Sequence, residues 1–180
     1  MPDKQSSGPA SFNDVAAAKN WPLACDPTLS FESDALADVL AIWRGLAKGG
    51  IPYRHMISAR MLKPHLAYIG IVERVQADPP RYCVRLMGTK LSQTLGEMQG
   101  KMLDEMLPPD LLPRWQSEFD LTLAEQRPLR FTGSRVDRNN LTFLQSETLL
   151  CPLLDENDAP NIVLAASILK AGTATSATGL

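Results

Sequence analysis

The chain has 180 residues, 44% hydrophobic and 21% charged, with a formal net charge of -2 and a pI near 5.7. That suffices for one well-buried core with loose ends, and it gives no general reason to expect nucleic-acid binding. The longest apolar run, Ile162 to Leu169, is too short to span a bilayer, and the N-terminal stretch MPDKQSSGPASFND lacks the apolar core of a secretory signal, so a cytoplasmic protein is expected.

Residues 1–30 are rich in Ser, Ala, Pro and Asp and are expected to form a mobile tail, with Phe12, Val15 and Trp21 able to dock on the domain. Ser33 to Lys48 is the clearest helix. Ser33 suits the N-cap, Asp34 the first turn, and Leu36, Val39, Leu40, Trp43, Leu46 and Ala47 recur at three- and four-residue spacing. Gly49 and Gly50 stop it, and Pro52 follows. An irregular connector leads to a short helix expected from Ser58 to Leu66, limited by Pro64.

Ala67 to Arg74 is rich in β-formers, Gln76 to Pro80 is a turn signal, and Arg81 to Met87 alternates. The alternation puts Tyr82, Val84 and Leu86 on one face and Arg81, Cys83, Arg85 and Met87 on the other. Thr89 opens a short helix ended by Gly96, and 100–107 reads as a loop with at most one helical turn. Pro109 to Gln126 is a second long helix with a stripe of Leu112, Trp115, Phe119, Thr122 and Leu123, and its acids Glu118, Asp120 and Glu125 are placed largely to the sides. Three strands follow, Pro128–Asp137, Leu141–Leu154 and Asn161–Lys170, joined by short turns as an antiparallel meander. The last strand is apolar on both faces, which marks a central strand covered on both sides. Residues 171–180 read as a disordered tail.

Cys25, Cys83 and Cys151 have no short spacing, and neither His55 nor His65 stands near a cysteine in sequence. Neither a zinc site nor a disulfide framework is expected, and Cys83 and Cys151 read as small half-buried strand residues. Between Asp38 and Glu73 the charges are all basic: Arg44, Lys48, Arg54, Arg60 and Lys63. From Glu97 to Glu125 the balance reverses, with Asp104, Glu105, Asp110, Glu118 and Asp120 between them and only Lys101 and Arg114 in opposition. These stretches are either solvated faces of different sign or surfaces that attract partners of opposite charge.

The element order is that of a PAS domain, and four motifs resemble one bacterial single-domain PAS-fold family, formerly a domain of unknown function. Trp43 followed by Lys48-Gly49-Gly50-Ile51-Pro52-Tyr53-Arg54 stands where that family has W-x-x-L-R-G-G-R-x-x-P-x-R. Tyr82-Cys83-Val84-Arg85-Leu86-Met87-Gly88-Thr89 is similar to F-R-Y-R-L-x-G-T, with Cys83 and Val84 departing from it. Gly96 to Lys101 matches G-x-x-L-T-G-R in part, and Glu147-Thr148-Leu149-Leu150-Cys151-Pro152-Leu153 stands in the place of E-x-L-x-L-P-L, with Cys151 where that motif has Leu. The resemblance covers roughly residues 34–170. It implies an α+β PAS fold over 31–170: a five-stranded antiparallel sheet in the order 2-1-5-4-3, helices on one face and an N-terminal amphipathic helix. It implies no fused output enzyme, and it names no cofactor.

In many PAS domains such a helix joins a dimer interface, so a homodimer on Leu36, Val39, Leu40 and Trp43 is expected, against the alternative that the helix covers only its own sheet. The candidate pocket residues are Arg54, Arg85, Met87, Met102, Trp115, Phe119, Phe143 and Glu147. Of these, Arg85 and Glu147 are either a structural ion pair or polar anchors of a small-molecule site. Trp115, Phe119, Phe143, Met87 and Met102, with Phe131, fill or line the concave side of the sheet. Arg54, His55 and Arg60 make a basic connector that is either solvated or an anion site. No Ser-His-acid set, carboxylate pair, phosphate loop or metal spacing is present, so no enzyme is expected. The Asn-Cys-Arg-Phe-Leu-Gln motif of flavin photosensors is absent too. The expected role is a sensory domain in bacterial signalling that acts through dimerisation and contact with a partner protein, or alternatively a receptor with a metabolite in the PAS pocket.

Overall fold

A computed structural model describes residues 8–137 and 142–172, with side chains undescribed at 135–137, 142–144 and 171–172. The doubly apolar segment Ile162–Ala166 sits where such a strand must sit, inside a sheet with both faces covered. In chain order the elements are α1 (Pro9–Ala18), β1 (Leu23–Asp26), α2 (Asp34–Ala47), β2 (Ile69–Val75), β3 (Arg81–Met87), α3 (Thr89–Leu95), α4 (Leu103–Met106), α5 (Leu112–Glu125), β4 (Leu129–Asp137), β5 (Thr142–Leu153) and β6 (Ile162–Gly172). The strands form one antiparallel sheet in the order β1-β4-β5-β6-β2-β3. The five strands expected from the sequence therefore take the order 2-1-5-4-3. The expected count is corrected to six, because β1 adds itself to the free edge of β4.

Each face of the sheet carries its own core. On one face α2 lies over β2, β5 and β6, packing its stripe against Ile71, Leu149, Cys151, Leu153, Ile162 and Leu164. Leu36, Val39, Leu40 and Trp43 are only 1%, 1%, 5% and 6% exposed, and the Trp43 Nε1–H donates to the Pro152 carbonyl at 2.9 Å. The dimer interface assigned to these four residues is thus corrected: they are buried against the chain's own sheet, where a second copy cannot reach them. Burying a side chain of this kind stabilises a fold by about 1.5–3 kcal/mol. α2 ends as expected, with Lys48 in the left-handed region (φ 45°) and Gly49 at φ 91°.

The opposite face is covered by α5, through Phe119, Thr122 and Leu123, and by α1. Residues 8–26 differ from the mobile tail expected of them. Phe12 packs edge-to-face on Phe131, with ring centroids 5.4 Å apart, and Ala16 is fully buried. Asn13 acts as a surrogate strand. Its amide nitrogen donates to the Cys25 carbonyl at 3.0 Å, and its oxygen accepts from the Cys25 N–H at 2.7 Å, which closes the outer edge of β1. The other sheet edge is closed by the loop before α4, where Val84 N–H donates to Lys101 at 3.0 Å and Gly100 N–H donates to Val84 at 2.7 Å. The helix expected over Ser58–Leu66 is a run of turns ending in a 3-10 turn at Leu66–Tyr68, because Pro64 has no N–H to continue a helix. Where β3 ends, Gly88 passes so close to this turn that a Cβ would lie 2.2 Å from the Leu66 carbonyl oxygen, so only glycine fits. The tail expected at 171–180 lies outside the described residues from 173 onward.

One buried carboxylate ties the α2 face together. Glu147, 6% exposed on β5, accepts from the Arg130 Nε–H at 2.7 Å and from the backbone N–H groups of Glu32 (2.9 Å) and Ser33 (3.1 Å). Arg130 on β4 also donates to Asp26 on β1 at 3.1 Å. The chain entering α2 is therefore pinned to β5, β4 and β1 through one charge network. The Arg85 side chain belongs elsewhere: it is 52% exposed and pairs with Glu73 across the β2–β3 ladder. Replacing Glu147 by Ala leaves the Arg130 charge short of a partner in a buried site and is expected to cost about 3–5 kcal/mol, whereas Arg85→Ala should cost under about 1 kcal/mol. Urea unfolding of the two variants measures the difference.

Candidate functional site

The face opposite α2 is not completely filled. A cavity of about 160 Å³ lies between the sheet and the helices α3 and α5. Its helical wall includes Leu91, Leu95, Trp115 and Phe119, with Met98 from the loop after α3, and its sheet wall includes Val72, Val84, Met87, Leu150 and Ala165. A short polar strip crosses the sheet wall: Ser146 and Thr148 on β5 and Ser167 on β6. Strand alternation puts Ser146, Thr148 and Leu150 on the cavity face and Glu147 and Leu149 on the α2 face. Thr148 stands opposite Ser167, and their hydroxyls are 3.0 Å apart.

Of the residues expected at a pocket, the structure brings three together here: Met87, Trp115 and Phe119. Met87 arrives by a route that strict alternation misses. Ile71 pairs with Leu86 and Val72 with Val84, which leaves Arg85 as the extra residue of a β-bulge. The bulge reverses the phase of β3. Arg85 goes to solvent, Leu86 packs partly into the α2-side core, and Met87 joins Tyr82 and Val84 on the cavity side. Four expected residues are corrected. Arg85 is outside, and Glu147 is on the far face of β5. The Arg54 guanidinium turns back to the Ile57 carbonyl at 3.1 Å, and Met102 bridges Cys83 at the edge of β3. Phe143 pairs through its backbone with Val136 and Gly172, and its side chain lies outside the described residues. The basic connector does not converge on a site: His55 stacks on Tyr53 at 5.3 Å, and His65 Nε2 lies 3.7 Å from Asp38.

The residue that changes the chemistry of the cavity is Glu118 on α5. It lies on the same helix face as the Trp115–Phe119–Thr122 stripe, three residues after Trp115 and four before Thr122, so the helical period already pointed it inward. It keeps some accessible surface while being enclosed by protein, because the surface it keeps is cavity wall. Its carboxyl accepts no hydrogen bond from the described residues, and burial pushes it up to about 8. Arg114, one turn earlier, is held by Asp110: its Nε–H donates to the Asp110 carbonyl at 3.0 Å, and its guanidinium lies 3.8 Å from that carboxylate.

Other buried polar groups have partners. The Tyr82 hydroxyl donates to Asp120, and burial, reinforced by that bond, pushes its phenol up. The three cysteines are buried rather than half-buried. Burial pushes the Cys25 thiol up to about 12 and raises that of Cys151 as well, which suppresses thiolate chemistry. Among the described residues no three His, Cys, Asp or Glu side chains come together as a metal-binding group, and no helix is long and apolar enough to cross a membrane.

No family model matches the sequence, and no curated protein matches it. Among solved structures, the chain is similar to the Rhodobacter sphaeroides LOV protein, with 12% identity over 83% of this chain and 71% of that one and a TM-score of 0.42. It is also similar to the LOV domain of the blue-light photoreceptor Aureochrome1 in its light state, with 10% identity over 66% and 91% of the two chains and a TM-score of 0.38. A third is a sensory box histidine kinase/response regulator from Burkholderia thailandensis, with 12% identity over 62% and 84% and a TM-score of 0.35. At these values the assignment of a PAS-like topology rests on the strand order itself.

The unpartnered Glu118 has a consequence for stability. Its proton is retained in the folded chain up to about pH 8 but is lost near the ordinary glutamate value of 4.5 when the chain unfolds. The folded state therefore binds more protons across that window, and stability falls as pH rises through it. The expected slope approaches about 1.4 kcal/mol per pH unit in mid-window, and Glu118→Gln should flatten it; chemical denaturation of both proteins between pH 5 and about 8 checks this.

Proposed function

We propose that this chain is a non-catalytic PAS-type sensory domain of bacterial signalling, related to the single-domain family its motifs resemble, that reads a small molecule bound in the cavity between sheet and α5. The observation that carries this reading is the cavity itself: apolar over most of its wall, with a strip of hydroxyls on the sheet side and, on the helical side, Arg114 and a carboxyl that accepts no hydrogen bond from the described residues. Sites of this make-up take compact organic ligands, the apolar wall supplying affinity and the few polar groups orientation.

β5 supplies a route from ligand to output. Ser146 and Thr148 face the cavity, and Glu147 between them faces α2 and holds the backbone that enters it. A ligand that shifts β5 from one face thus acts on the α2 junction from the other. Dimerisation and contact with a signalling partner in the cytoplasm form the output of this domain, on surfaces other than the stripe of α2.

Native mass spectrometry of gently purified protein tests the reading. A small molecule of defined mass should accompany the chain and be lost from Ala165→Leu, which adds bulk to the sheet wall of the cavity while keeping it apolar. Chains that are ligand-free from every source and unchanged by cellular extracts would contradict it, as would turnover of a substrate abolished by a single substitution.

A further inference from the structure

The cavity has a polarity that narrows what it can hold. Glu118 and Arg114 are the charged residues on an otherwise apolar helical wall, and the sheet wall opposite carries hydroxyls that both donate and accept. The Glu118 carboxyl accepts no hydrogen bond from the described residues and keeps accessible surface on the cavity wall, so a ligand donor can reach it. The one cation on the cavity wall among the described residues, Arg114, is turned to Asp110 and does not fill that role. The surrounding stretch adds sign to the site. From Glu97 to Glu125 acids outnumber bases, and Asp110, Asp120 and Glu125 lie on α5 or just before it. Their field draws cations towards the cavity and disfavours anions. The volume of about 160 Å³ is close to the roughly 150 Å³ of engineered apolar cavities that accept benzene.

We infer that the ligand is a small organic cation, an amine carried on a compact apolar body about the size of one ring, with its ammonium group on the Glu118 carboxylate and its body between Trp115, Phe119, Leu91 and Met98. This rests on the reading of the cavity as a ligand site. An ammonium in contact with Glu118 completes the carboxyl with a charge-assisted hydrogen bond. The match of one carboxyl to one ligand cation gives selectivity against neutral isosteres, because an ammonium can hold Glu118 in its ionised form through a charge-assisted hydrogen bond, whereas a neutral head group leaves it protonated with a neutral hydrogen bond at most.

Three probes that share one phenethyl body decide the matter: phenethylamine, its neutral isostere 2-phenylethanol, and the slightly larger anion 3-phenylpropanoate, titrated into the whole chain at neutral pH while the methyl resonances of Leu91 and Met98 are followed by NMR. Phenethylamine should bind about tenfold or more tighter than the alcohol, with the carboxylate weakest, and Glu118→Gln should bring amine and alcohol within about twofold of each other. The series on the unaltered chain stands even if that variant fails to fold. Alcohol or carboxylate binding as tightly as the amine, with the cavity methyls shifting, overturns the cation assignment and leaves the cavity as a ligand site. No methyl shift with any probe at millimolar concentration overturns the inference together with the reading beneath it.

Discussion

The α2 face depends on how one carboxylate on β5 is satisfied. Glu147 is buried, and a buried charge has to be met by donors arranged around it. Here the donors come from three places distant in sequence: the Arg130 guanidinium on the neighbouring strand and two backbone N–H groups just ahead of α2. Arg130 in turn reaches Asp26, so β1 is held at the sheet edge by the same network. Asp26 is itself held below the usual carboxylate range, chiefly by the Thr28 hydroxyl and also by Arg130. Without this junction α2 would still have an apolar stripe but no fixed entry angle onto the sheet.

That junction lets the two cores stay separate. α2 with the far ends of β5 and β6 makes a closed apolar layer, and Trp43 finds its hydrogen bond in the Pro152 carbonyl. The other layer is assembled from α1, α3, α4 and α5 and does not close completely. Its gap adjoins the hydroxyl strip of β5 and β6, and its helical wall presents Glu118. The two layers meet in β5, whose alternation puts cavity hydroxyls and the Glu147 junction on opposite faces within three residues. Between the cavity and the α2 junction lies a single layer of sheet.

Much of this architecture was legible in the residues. The doubly apolar Ile162–Ala166 marked the inner strand, the Leu36–Trp43 stripe marked a helix that must be covered, and the turn-joined segments after α5 marked the meander. The misses have identifiable causes. The N-terminal segment has a low share of apolar residues, and its order comes from long-range partners: Phe12 on Phe131 and the Asn13 amide on Cys25, neither of which leaves a local pattern. Period-two alternation failed at Arg85 because a bulge reverses the phase of β3, and bulges at non-glycine positions have no strong sequence signature. Whether the stripe of α2 serves a dimer or the chain's own sheet is a question of tertiary context that periodicity cannot decide. Glu118 was within reach, since its spacing from Trp115 and Thr122 places it on the buried face, but acids on helices are read as solvated by default. The hydroxyls of Ser146, Thr148 and Ser167 look like ordinary outward-facing strand residues until the helices are put in place.

Burial pushes the Glu118 carboxyl up to about 8, and it should ionise when an organic ammonium occupies the cavity. The ¹³C resonance of its side-chain carboxyl reports this directly. At neutral pH it should lie at the protonated position in the free chain and move to the carboxylate position as phenethylamine saturates the cavity. A carboxylate position in the free chain at neutral pH, unmoved by the amine, would contradict the account.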